Sequence, residues 1–233
     1  MRKTKGSHFI YKGRNIGRMS ILKYVIIVLL GYLLGSSSMS FYISKMKKVN
    51  IKEQGSKNYG ASNTLALVGK RAGAAVLLHD ILKSFLAILI IRLIMKIPYN
   101  DVAWVLAAIG LFAVIGHIFP FYLKFNGGKG FAPYLGVVLG LDWRLFLGVV
   151  LLIFVVAFIT DYIVAGTFST ITVTPLYFLI VQRNVTVGII MVVCSLLLLY
   201  KHRENIVNLA AGKEMKIRSA FKNKYRHEES GEN

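Results

Sequence analysis

The sequence predicts an all-α, polytopic membrane protein of about seven transmembrane helices with glycine-rich loops on the cytoplasmic side. Three observations carry that expectation. Hydrophobic residues make up 55% of the 233 residues, with a mean hydropathy of +0.59 and a net charge of +19, a combination foreign to ordinary soluble domains. The apolar residues fall into blocks at about 21–44, 72–95, 102–123, 130–141, 145–166, 168–182 and 185–200, where a span needs roughly 20 residues. Basic residues cluster beside the blocks, where the positive-inside rule and anionic headgroups account for them without nucleic acid.

The first block begins like a secretory signal peptide, with a basic head, the run Tyr24–Leu34 and the small residues Gly35-Ser-Ser-Ser38. Hydrophobicity resumes at Phe41-Tyr-Ile43 and no cysteine is placed for lipidation, so a span is the better reading. The third block reaches Pro120, which should kink or end its helix. The block at 130–141 is too short to cross alone at ~1.5 Å per residue. It is either tilted into the interface or buried as a half-helix among neighbours, which makes the count six or seven. The last block holds Cys194, the single cysteine, so disulfides and cysteine metal clusters are excluded. No repeat period is visible and no metal constellation appears. No cofactor is expected, and the oligomeric state is not legible.

Lys45, Lys47, Lys48, Lys52, Lys57, Lys70 and Arg71 crowd the first long loop. Lys201, Arg203, Lys213, Lys216, Arg218, Lys222, Lys224 and Arg226 crowd the C-terminal end. Both groups should be cytoplasmic, which favours seven helices and an outside N-terminus. That conflicts with Arg2, Lys3, Lys5, Lys12, Arg14, Arg18 and Lys23, unless translation starts at Met19 or only six helices cross. The expected division is a basic extension over 1–18 that a Met19 start would omit, a membrane domain over 19–212, and a basic, disordered tail over 213–233.

Ionisable residues inside a span cost roughly 2.5–3.5 kcal/mol on insertion scales and mark function or pairing. In the second block Asp80 and Lys83 stand three apart on one helical face and can neutralise each other. A structural ion pair is the leading reading there, and His79 is assigned no role. After Pro120, Asn126-Gly-Gly-Lys-Gly130 offers backbone amides around a lysine, a phosphate cradle by chemistry. It is not a Walker A loop, since no Ser or Thr follows the lysine and no strand precedes it. Residues 55–63, Gly-Ser-Lys-Asn-Tyr-Gly-Ala-Ser-Asn, form a second such loop. At the end of the last block, Tyr200-Lys-His202-Arg203-Glu-Asn205 puts His202 and Asn205 on one face. Assigned to the same membrane side, the three describe an interfacial pocket for an anion.

From about Gly31 to Gly212 these residues resemble the bacterial acyl-phosphate-dependent glycerol-3-phosphate acyltransferases of the PlsY type. The resemblance rests on Gly35-Ser36, on residues 55–63 against a family pattern G-S-G-N-x-G-A-T-N, and on Gly69-Lys70 and Gly73. It continues through Leu78-His-Asp80-Ile-Leu-Lys83, Gly116-His117-Ile-Phe-Pro120, Phe125-Asn-Gly127-Gly128-Lys129-Gly130 and Tyr200-Lys-His202-Arg203-Glu204-Asn205-Ile206. Order and spacing together make the match specific. The resemblance implies transfer of a fatty acyl group from acyl phosphate to the first hydroxyl of glycerol 3-phosphate, giving lysophosphatidic acid and phosphate. Acyl phosphate, glycerol 3-phosphate and membrane lipid are the expected partners.

By that resemblance and by chemistry, Lys129 and the amides of Gly127 and Gly128 would neutralise phosphate, and Ser56, Asn58 and Thr167 would donate hydrogen bonds. His202 and Asn205 would orient the acceptor or a phosphate oxygen. No His-x-x-x-x-Asp pair of the unrelated acyltransferases is present. An acyl phosphate is already activated, so positioning and charge neutralisation can supply most of the acceleration, with the phosphate itself a proton acceptor.

Departures from the family pattern bear on activity. Ala66 stands where the family has an arginine, and Lys57 replaces the second glycine of G-S-G-N. A lysine there restores a charge without an arginine's two-pronged grip. Thr167 replaces a serine, Lys52 an arginine and Ser84 a glycine. Two rival readings follow: the same fold acylating a non-phosphorylated acceptor, or a non-catalytic lipid- and anion-binding membrane protein. A transporter is disfavoured by the lack of an internal repeat.

Overall fold

A computed structural model describes residues 21–95 and 99–218. The expected 1–18 extension, the choice between Met1 and Met19, and the tail beyond 218 with Lys222, Lys224 and Arg226 lie outside the described residues. Every apolar block is helical, although 21–44 is broken into two helices and 145–166 runs across the turn between two. In chain order they are α1 (Ile21–Ser36), α2 (Met39–Lys47), α3 (Ala61–Val68), α4 (Lys70–Met95), α5 (Tyr99–Ile118), α6 (Phe131–Leu141), α7 (Trp143–Thr160), α8 (Ile163–Leu176), α9 (Val185–Lys201) and α10 (Arg203–Ala210). No strand occurs among the described residues, and the chain is a multi-pass membrane protein.

Five segments are long and apolar enough to cross: Tyr24–Lys47, Lys70–Ile94, Ala103–Leu123, Trp143–Thr160 and Ile163–Val181. A sixth is α9 with α10, bent by 59°. The expected seventh is α6, whose 11 residues reach only ~16 Å at ~1.5 Å per residue. It is buried along most of its length, from Pro133 to Val138 and at Leu141. Of the two readings left open by its length, the buried half-helix holds. The lipid-facing character shows on α7, where Leu147, Leu151, Phe154 and Phe158 are all more than half exposed.

The core forms where α5 is packed by α1, α4, α6 and α9, around Ile88, Leu106, Ile109, Val114, Tyr134, Val137, Met191 and Leu198. Between membrane helices small residues permit close approach, because lipid supplies no hydrophobic drive. Gly31 and Gly35, four apart on α1, lie against the backbones of Ile109 and Ala113, and Gly116 of α5 lies against Tyr32 and Ser36. The pair is closed at its end by Tyr32 Oη donating to Phe119 O (2.8 Å) and Tyr122 Oη donating to Ser36 O (2.8 Å).

A side chain at residue 35 would collide with the Ala113 backbone, which cannot rotate away, whereas one at Gly148 of α7 would meet nothing within 4 Å. Gly35→Val is expected to cost about 1–3 kcal/mol by overpacking and to lower the thermal midpoint in detergent. Gly148→Val should leave it within a degree or so; equal midpoints would refute the close-approach account.

Candidate active site

The 55–63 loop is wrapped around one buried side chain. Asn63, 2% exposed, donates through Nδ2 to Ile51 O (2.8 Å), Gln54 O (3.1 Å) and Asn58 O (3.1 Å), and its Oδ1 accepts Ser56 N (2.8 Å). Gly55 has φ +58°, and a Cβ there would run into that same Oδ1. Asn58 Nδ2 donates to Ser56 O (2.7 Å) and Ser56 Oγ (2.9 Å), which leaves the Ser56 hydroxyl proton free to donate outward. Lys57 is exposed and has φ +50°, a left-handed conformation that costs a non-glycine residue about 1–2 kcal/mol. The preference for glycine at this position therefore has a backbone cause.

The 126–130 loop differs from expectation in one respect. Gly127 N donates to Ile118 O (3.0 Å) and Gly128 N to His117 O (3.2 Å), so the two amides expected to neutralise phosphate are engaged with the end of α5. These glycines serve closeness instead. A Cβ on Gly127 would meet His117 O and Pro120 Cδ, and one on Gly128 would meet His117 Nε2 and Tyr59 O. Gly128 is thus where both glycine loops and α5 converge.

Lys129 leaves that junction half-buried, and its Nζ donates to Asn205 Oδ1 across 76 residues of sequence. Burial lowers its pKa from the usual lysine value, and the carboxylates of Glu204 and Glu214 oppose that shift. Lys52 and Lys201 add positive charge close by, and Lys201 Nζ stands 5.3 Å from the centre of the Phe119 ring.

His202 occupies the bend between α9 and α10. Its Nδ1 donates to Leu198 O (2.8 Å), which leaves Nε2 as the acceptor in the neutral ring. Phe168 packs edge-on against it at 6.3 Å, one residue after the buried Thr167 of α8. Asn205 Nδ2 donates to Glu214 Oε1 (2.9 Å). Arg203 lies on Tyr200, 4.7 Å from its ring, and is exposed. Ala66 is exposed on α3. The structure joins Lys129 to Asn205 and Ser56 to Asn58, and the two pairs communicate through Tyr59 and Gly128. Thr167 makes no side-chain hydrogen bond among the described residues.

Beneath the loops lies the Asp80–Lys83 ion pair at 2.7 Å, with Asp80 2% and Lys83 7% exposed. Lys83 Nζ also donates to Ser37 O (2.7 Å) and His117 Nδ1 (2.8 Å). An ammonium only donates, so His117 carries its proton on Nε2, the atom facing Gly128. His79, given no role from sequence, bridges Ser37 Oγ (3.1 Å) and Asp80 Oδ1 (3.3 Å). Neither His117 nor Glu214 was legible as part of the site, because each is brought there by packing between distant segments.

Two polar loops, a cationic cluster and a bent helix end gather at one edge of an apolar bundle, which defines an integral membrane protein with a polar, lysine-bearing cleft at that edge. A family profile described as Glycerol-3-phosphate acyltransferase matches residues 25–212. The glycerol-3-phosphate acyltransferase of Bartonella henselae is 38% identical over 193 residues, covering 82% of this chain and 90% of the relative. Glycerol-3-phosphate acyltransferase 1 of Oceanobacillus iheyensis is 37% identical over 207 residues, covering 85% and 97%. The crystal structure of PlsY (YgiH), an integral membrane glycerol 3-phosphate acyltransferase in its glycerol 3-phosphate form, superposes with a TM-score of 0.78 at 32% identity, covering 84% of this chain and 96% of that one. Its lysophosphatidic acid form gives 0.75. The chain belongs to the glycerol-3-phosphate acyltransferase family.

Because the lowered pKa of Lys129 brings its deprotonation to lower pH than for a free lysine, phosphate capture should weaken as pH rises through that value. A pH profile of kcat/KM should show this alkaline limb. In Lys129→Arg, whose guanidinium stays charged, the limb should vanish even if the rate is lower; its persistence would assign it elsewhere.

Proposed function

We propose that this protein transfers a fatty acyl group from acyl phosphate to the sn-1 hydroxyl of glycerol 3-phosphate, giving lysophosphatidic acid and inorganic phosphate, at the cytoplasmic face of a bacterial cell membrane. The observation that carries the reading is the Lys129–Asn205 pair at the meeting of both glycine loops, within a chain matched by the family over 25–212. The cytoplasmic orientation is supported by the basic residues that gather at this end of the bundle.

The residues divide the work by chemistry. Lys129 neutralises phosphate charge, and the outward Ser56 hydroxyl donates to a phosphate or carbonyl oxygen. Asn205, held by Glu214, sets the direction of the Lys129 ammonium. His202 Nε2 accepts from the acceptor hydroxyl and orients it, while Thr167 supplies a buried hydroxyl behind Phe168. The attacking hydroxyl loses its proton as the ester forms, and the departing phosphate takes it up. Beside His202 a groove of about 280 Å³ runs between α8 and α9, lined by Phe168, Ile171, Pro175, Leu179, Leu196 and Leu199 among others. It suits the donor's acyl chain.

A second reading, acylation of a non-phosphorylated acceptor, is favoured by Ala66 and by the solvent-facing Lys57. Purified protein in detergent with palmitoyl phosphate should form lysophosphatidate only when glycerol 3-phosphate is present. Lys129→Ala should reduce kcat/KM by about 10² or more, the scale of losing one preorganised charge-stabilising donor. Ala66→Arg should raise kcat/KM for glycerol 3-phosphate. Acyl transfer to glycerol without lysophosphatidate formation would establish the second reading instead.

A further inference from the structure

The family match ends at residue 212, yet the chain returns to the site just beyond it. Gly212 has φ +67°, and Lys213 N and Glu214 N both donate to Asn208 O (2.8 and 3.1 Å), folding the backbone against α10. Further on, Ile217 N donates to Asp161 O (3.0 Å), Arg218 N to Asp161 Oδ1 (2.9 Å), and the Arg218 guanidinium to Phe158 O (3.4 Å). Residues 213–218 therefore strap α10 to the turn between α7 and α8. The strap delivers Glu214, half-buried, to Asn205 Nδ2 at 2.9 Å. The same amide receives the Lys129 ammonium on its oxygen.

We propose that Glu214 is a specificity-determining residue whose carboxylate, held next to Lys129 through Asn205, weakens capture of the phosphate group of the substrates and so reduces the advantage of a phosphorylated over a neutral acceptor. This rests on the acyltransferase reading above. A phosphate dianion entering toward Lys129 meets a fixed negative charge that part-neutralises the lysine and repels the newcomer, in a half-buried site where screening is weaker than in open water. Glu214 lies just beyond the segment matched by the family profile, and its charge acts in the same direction as the alanine at 66. Glu214 is a carboxylate that the strap adds beside Lys129, where Glu204 of α10 already supplies one.

The test uses the full chain in detergent, with binding of labelled glycerol 3-phosphate and of inorganic phosphate measured beside turnover. Glu214→Gln keeps an oxygen that can accept from Asn205 and removes only the charge. It should tighten both anions by about tenfold, the order expected for one nearby charge at a half-buried site. Asp161→Gly, at a residue with φ +66° where glycine is unstrained, removes the carboxylate that holds Arg218 while keeping the backbone bond to Ile217, and should act in the same direction more weakly. Varying palmitoyl phosphate separately tells which phosphate feels the charge: a fall in its KM alone assigns the carboxylate to the donor and overturns its role in acceptor choice. Anion affinities unchanged in Glu214→Gln, or weakened, overturn the proposal. Because binding is read independently of turnover, wild-type protein that binds anions without forming lysophosphatidate sinks the acyltransferase reading, and the effect of Glu214 on anion affinity is then scored by the binding arm alone.

Discussion

The site is held from below by an ammonium that has no water to turn to. Lys83 is buried in a bundle core, where an unpaired charge costs several kcal/mol. It is tolerated because Asp80, the Ser37 carbonyl and His117 occupy its three donors. Those partners come from three segments: α4 itself, the break between α1 and α2, and the end of α5. Satisfying one cation therefore fixes where these segments sit, and through the His117 ring it fixes Gly128 and the direction in which Lys129 leaves the loop. A core pair of this kind adds little net stability. Its effect is on position.

The architecture was legible because membrane insertion imposes coarse rules on sequence. The apolar blocks located the helices, although the block at 21–44 breaks into α1 and α2 and the boundary between α7 and α8 falls at 161–162 rather than at 167; the short length of α6 already limited it to two fates. The choice between them needed the neighbours that bury it. The Asp80–Lys83 pair was legible from spacing alone, since three residues apart on a helix places side chains on one face. Its extension to His117 was not, because 34 residues separate Lys83 from it.

The loops expected at the candidate site do gather in the fold, and the donors expected of them are placed differently. A glycine-rich run suggests free amides, yet two of these amides bond to the carbonyls of the helix they follow. The glycines at 127 and 128 are required by contact distance rather than by hydrogen bonding to a ligand. Lys57 shows the converse: a residue assessed by charge turned out to matter through its φ angle. Sequence reports residue type, whereas the availability of a donor depends on what the rest of the chain has already offered it.

The groove between α8 and α9 opens to the side, through residues such as Leu176, Leu196 and Leu199 that are 46%, 60% and 40% exposed. A molecule with one long chain and a polar head can slide out along that slot while its head stays at the level of His202. On the proposed reading the acyl chain then enters and leaves within a single leaflet, while glycerol 3-phosphate and phosphate exchange with water. Turnover in such an arrangement depends on lateral diffusion and on the fluidity of the surrounding lipid, so the bilayer itself acts as the exit channel.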